Sequence, residues 1–108
     1  MFIESPPLYW VSYYENHRCV KWLKGDICFT YTKKGNGLAC HFSTKKGSAK
    51  KIREAFDDFI SWAFYHYEWC EMLFAYSNKG SINRLLRRLN WSEYDIVDDD
   101  RKLFIKVK

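Results

Sequence analysis

The stretch Leu38-Ala39-Cys40-His41-Phe42-Ser43-Thr44-Lys45-Lys46-Gly47-Ser48-Ala49-Lys50-Lys51-Ile52 decides the fold. Its first six residues, Leu38–Ser43, read as a strand. After Gly47 the apolar period changes from two to 3.6: Ala49, Ile52, Phe56, Phe59, Ile60 and Ala63 recur at three- and four-residue spacing. Lys50, Arg53, Asp57 and Asp58 fall off that stripe, so the pattern predicts an amphipathic helix reaching about Tyr65. Ser48 or Thr44 is expected to cap it. Between strand and helix, Thr44, Lys45, Lys46, Gly47, Ser48 and Ala49 form a turn that offers unpaired backbone N–H groups and the positive end of a helix dipole. Gly47 permits close backbone approach. The turn is therefore the first candidate anion site, with a plain solvated helix start as the bland alternative.

Outward from this unit the remaining elements follow. Lys33-Lys34-Gly35-Asn36-Gly37 is a hairpin turn, since its glycines and Asn36 tolerate positive φ. Ile27–Thr32, Arg18–Leu23 and Leu8–Tyr14 read as strands, with Glu15-Asn16-His17 as a turn and residues 1–7 as an arm closed by Pro6-Pro7. On the other side, Cys70–Tyr76 is a buried strand and Ser77–Gly80 a turn. Ser81 is expected to cap a basic helix with Ile82, Leu85, Leu86 and Leu89 inward, and Asn90 suits a left-handed stop. Ser92–Val97 and Lys102–Val107 close the chain as a hairpin. The predicted order is ββββαβαββ in one domain, 1–108. A strand–helix–strand crossover implies one parallel pair in a mainly antiparallel sheet, an α+β layer.

Composition narrows the class. Hydrophobic residues are 47% and aromatics 19%, enough for a packed core. No apolar run approaches a membrane span, and the first residues lack the features of a secretory signal, so a cytoplasmic location is expected. Net charge is +5 from 18 basic and 13 acidic residues, which favours an anionic partner. Cys19, Cys28, Cys40 and Cys70 make no C-x-x-C pair, so they read as reduced, packed thiols. His66 and Cys70 lie four apart without further ligands nearby, and no metal is expected.

Thr44-x-x-Gly47-x-Ala49, the strand Cys70–Tyr76, Asn78 in the following turn, and a helix ending Leu89-Asn90-Trp91 before a hairpin resemble, in order and spacing, the C-terminal half of the GNAT (N-acetyltransferase-like) superfamily. The resemblance covers residues 37–107. It is closest to small GNAT-like proteins encoded by tailed bacteriophages, including virion-associated accessory proteins. It implies a mixed sheet with two main helices, a pyrophosphate loop at residues 44–49, and acetyl-CoA or CoA as cofactor. The departures are specific. The family's Gln/Arg is Thr44 here. The tyrosine that protonates the departing CoA thiolate falls at Leu86, or at Leu85 if the register slips by one, and neither can donate a proton. The family's first two helices have no evident equivalent.

These departures favour a catalytically degenerate phage-type accessory protein that binds a protein partner, either a virion component or a host defence or regulatory factor, in the host cytoplasm or the virion. Tyr13, Tyr14 and Trp22, with Arg84, Arg87 and Arg88, are the candidate partner surface. The alternative is an acetyl-CoA-dependent N-acetyltransferase in which His41 is the base and Tyr76 a substitute acid; the plainer reading of both is a hydrogen-bonded side chain. A second alternative is a nucleic-acid-binding module using the N-terminal aromatics as a stacking surface.

Overall fold

The computed structural model describes residues 1–6 and 8–108. The predicted order ββββαβαββ is found: β1 Phe2–Glu4, β2 Arg18–Trp22, β3 Ile27–Lys34, β4 Gly37–Thr44, α1 Ile52–His66 after a 3-10 turn at Ala49–Lys51, β5 Met72–Ser77, α2 Gly80–Arg88, β6 Ser92–Asp95 and β7 Lys102–Val107. They form one seven-stranded sheet in the order β1-β2-β3-β4-β5-β7-β6. Every neighbouring pair is antiparallel except β4–β5, joined by the α1 crossover. Gly37 lets this pair close: a Cβ there would sit 2.6 Å from Phe74 Cε2 and 2.7 Å from the Met72 carbonyl oxygen.

The main correction concerns the N-terminus. Leu8–Tyr14 is not a strand, and the outermost strand instead comes from the expected arm, at Phe2–Glu4. The reason is the core. Phe2 packs on Phe29, Phe59 and Trp62, with centroids 5.8, 5.8 and 5.5 Å away. Residues 8–17 instead run as turns and irregular chain, with Ser12 and Tyr14 over the sheet. Pro7, expected to help close the arm, lies outside the described residues. Two caps were also misassigned. Neither Thr44 nor Ser48 caps the first helix with its side chain, and α2 begins at Gly80 with Lys79, not Ser81, at its cap position. Asn90 does take the left-handed conformation, φ 64°.

Both helices pack on one face of the sheet. Strand register puts Val20, Phe29, Phe42, Leu38, Leu73 and Phe104 on that face. The α1 stripe Ala55, Phe56, Phe59 and Ala63 and Leu86, Leu89 and Trp91 complete the core. Phe59 stacks on Phe29 at 4.2 Å. The two alanines let α1 approach closely. On the opposite face, the segment before β2 lies against β4: Ser12 N–H donates to Ser43 Oγ (3.0 Å), and Tyr14 stacks on His41 at 4.0 Å. β3 is buried on both faces, whereas in β5 Phe74 and Tyr76 stay half-exposed.

Trp22 corrects another expectation. It is fully buried, and its indole N–H donates to Asp58 of α1 at 2.8 Å, so it is a tie between sheet and helix and not a partner contact. Trp22→Phe removes a hydrogen bond to a carboxylate and should cost about 2 kcal/mol. The expected Tm is lower by roughly 8–16 °C for a domain this small, measurable by thermal denaturation. The four cysteines are free thiols, as expected. Burial pushes the Cys28 thiol up to about 12, so it is a packing group and not a nucleophile.

Candidate functional site

The β4–β5 pairing runs only from Gly37↔Met72 to Ala39↔Phe74, and beyond it the two parallel strands part. A cavity of about 270 Å³ occupies the gap. Its walls come from both faces of the sheet. Cys40, Phe42, Phe56 and Leu86 line it on the helical side, and Tyr14, His41, Tyr76 and Arg101 on the other. The gap therefore passes through the sheet. It opens at the C-terminal ends of two parallel strands, the usual ligand position in sheets with crossover helices.

The loop that follows β4 stands at this end. Lys45 N–H donates to the Asp26 carbonyl (3.0 Å) and Ser48 N–H to the Lys45 carbonyl (2.9 Å), which closes the turn with Gly47 at φ 90°. The amides of Lys46 and Gly47 take no part in those bonds. Apart from its two chain neighbours, nothing lies within 4 Å of where a Gly47 Cβ would be, so the loop is open to solvent there. The helix start beyond it has no side-chain cap, which leaves its first amides for an outside acceptor. Lys45, Lys46, Lys50 and Lys51 are exposed and, among the described residues, make no ion pair. Of the six predicted loop residues, Thr44 ends β4 and Lys45–Ala49 follow it; none lines the cavity, whose β4 wall is Cys40, His41 and Phe42. Uncapped amides and uncompensated lysines suit a polyphosphate.

Both predicted catalytic candidates line the cavity. Burial, with His17 and Arg101 nearby, pulls the His41 imidazole below its usual value, so it is neutral at pH 7. Tyr76 Oη accepts from Lys34 Nζ at 3.0 Å, which leaves the phenolic proton free to donate. Leu86, 1% exposed, sits on the helical wall, where it offers no proton. Sequence reasoning missed Arg101 and Tyr14 as wall residues of the cavity. Arg101 lies on β7's approach, next to β5 only through strand order, and Tyr14 arrives through the turns that replaced the expected strand.

The predicted partner residues do not converge. Tyr13 and Tyr14 are exposed on the helix-free face, Trp22 is interior, and Arg84, Arg87 and Arg88 lie on α2. Arg87 is held by a bidentate pair with Glu93 and keeps that carboxyl down at about 2. No group of three or more potential metal ligands occurs among the described residues, and no helix there is long and apolar enough to cross a membrane.

No protein-family model matches the sequence, and no match is found among curated proteins. Solved structures do match. The Campylobacter jejuni N-acetyltransferase PseH, solved with acetyl coenzyme A, aligns with a TM-score of 0.72 at 13% identity, covering 87% of this chain and 70% of that one. The GNAT domain of S. lividans PAT aligns at 0.62 and 8% identity, over 90% and 65%. Ribosomal-protein-S5-alanine acetyltransferase from Vibrio fischeri aligns at 0.60 and 13%, over 85% and 62%. This chain thus spans less than two thirds of the latter two. The fold is GNAT-like, a mixed α+β sheet with two helices.

Proposed function

We propose that this protein is an acetyl-CoA-dependent N-acetyltransferase. The observation that carries the reading is the cavity between β4 and β5, lined from both faces of the sheet, with an uncapped, lysine-rich helix start following β4. Such a passage lets donor and acceptor meet from opposite sides. At about 270 Å³ the cavity lies at the lower end of small-molecule sites. It has room for a narrow thioester arm, while the nucleotide phosphates would rest outside, on the amides of Lys46, Gly47 and Ala49. That neighbours with this fold act as acetyltransferases supports the same choice.

In this reading the amine enters from the helix-free face and its nitrogen attacks the thioester carbonyl carbon. The C–N bond forms, the C–S bond breaks, and CoA leaves as its thiol. His41, neutral and at the cavity wall, takes the proton the amine loses. Tyr76 stands in for the missing tyrosine at Leu86 and supplies the proton to the leaving sulfur. Lys34, donating to the same oxygen, stabilises the phenolate this leaves.

A catalytically silent descendant that binds a protein partner, of the phage-type accessory kind, is the second reading. Leu86 in the proton donor's place favours it, and the exposed Tyr13 and Tyr14 would be its contacts. Calorimetric titration with acetyl-CoA separates the two. Transfer requires binding with a Kd of roughly 1–100 μM, within the usual range of substrate constants. Absence of binding at about 1 mM ligand, a free energy weaker than about 4 kcal/mol, would leave the partner-binding reading standing alone.

A further inference from the structure

We propose, building on the acetyl-transfer reading above, that the acceptor is an amine that also carries an anionic group, a carboxylate or a phosphate. The argument rests on the charges around the helix-free mouth of the cavity. The charged side chains that line it are Lys79 and Arg101, and no carboxylate lines it. Lys34 stands beside it, with its Nζ 5.3 Å from the centre of the Tyr76 ring, and the Arg101 guanidinium lies 5.1 Å from the same ring. Two cations therefore converge on one cavity-lining aromatic.

Their existing partners leave both with capacity to spare. Arg101 spends Nε and Nη2 on Asp99, and Nη1 enters none of those bonds. Lys34 donates to Tyr76 Oη and, among the described residues, makes no ion pair. Asp100, the other acid nearby, is engaged by the Asn78 amide at 3.3 Å. An unsubstituted alkylamine is an ammonium ion at pH 7 and finds no carboxylate on the cavity wall to pair with. A second, anionic group on the acceptor pairs with Lys34 and Arg101. The repulsion then favours the neutral amine, which is the form that attacks.

The test uses the full chain, acetyl-CoA and two matched acceptor pairs: β-alanine against its amide, and aminoethyl phosphate against aminoethanol. CoA thiol release is followed for each. The anionic member of at least one pair should have a kcat/KM about tenfold or more above its neutral partner. Which pair shows the preference identifies carboxylate or phosphate. Lys34→Gln and Arg101→Gln should each shrink that ratio while the acetyl-CoA Kd, titrated separately, changes less than about twofold. Neutral acceptors that match or outrun the anionic ones overturn the proposal, as does a preference that survives in both variants or turnover of neither pair by protein that binds acetyl-CoA. Failure to bind acetyl-CoA at all is a failure of the underlying reading, seen in the titration before any acceptor is added.

Discussion

Gly47→Glu should weaken acetyl-CoA binding at least about 100-fold, or roughly 2.7 kcal/mol. Two effects act together. The backbone at Gly47 has φ 90°, a region that costs a residue with a side chain about 1–2 kcal/mol. The second effect is charge. A carboxylate would project into the open space before the loop, where the amides and lysines would otherwise meet phosphate. Gly47→Ala separates the two, since it carries the strain without the charge. Nothing crowds its Cβ, so its stability loss should be about 1 kcal/mol and its affinity loss only a few-fold. Titration calorimetry on both variants, with urea denaturation to compare their folding, checks this. Glu and Ala variants of equal affinity would mean that the loop does not face the phosphates.

The second large effect is expected at His41. His41→Gln keeps a polar side chain of similar size on the cavity wall but cannot take a proton at neutral pH. It should lower kcat about 100- to 1000-fold while the acetyl-CoA Kd stays within a few-fold. The pH dependence has a definite sign. Burial lowers the His41 pKa below 6.5, so the neutral base predominates at pH 7. For the unaltered protein, log kcat/KM should be flat near pH 7 and fall only below 6.5, and this step should vanish in the variant. Stability follows the same group. Between the folded value and 6.5 the unfolded chain binds more protons, so stability is lost as pH falls through that window. Folding equilibria at successive pH values would show a slope that His41→Gln removes. An unchanged kcat in the variant would assign the proton to water instead.

Most of the scaffold was legible because it depends on local periodicity. The switch from period two to 3.6 at Gly47, the Lys33–Gly37 turn and the αL stop at Asn90 are each set by a few adjacent residues, and each is found. The helix caps were not legible. Ser and Thr near a helix start signal a cap only if the chain directs their oxygen at the amides, and at Thr44, Ser48 and Ser81 it does not. An uncapped start, which leaves those amides to a ligand, is the stronger functional sign.

The N-terminal third resisted for a different reason. Leu8–Tyr14 has strand-like composition, yet it is Phe2 that enters the core. An edge strand at residues 2–4 puts that ring against Phe29, Phe59 and Trp62. Which of two aromatic segments joins a sheet is settled by the space available in the core, and propensity does not contain that information. Trp22 was misplaced for the same reason. Its exposure depends on whether Asp58, 36 residues away, stands above it.

By itself, then, the sequence determined the element order from β2 onward, the single parallel crossover and the turn around Gly47, because these follow from spacing along the chain. The tertiary structure alone decided that β4 and β5 part after three residue pairs, that the gap passes through the sheet, and that Tyr14, His41, Tyr76 and Arg101 meet around it. Those residues come from four segments far apart in the chain. Strand order and alternation bring His41 and Tyr76 to one place, the turns before β2 and β7 add Tyr14 and Arg101, and the side on which the helices pack determines which face of the sheet stays open.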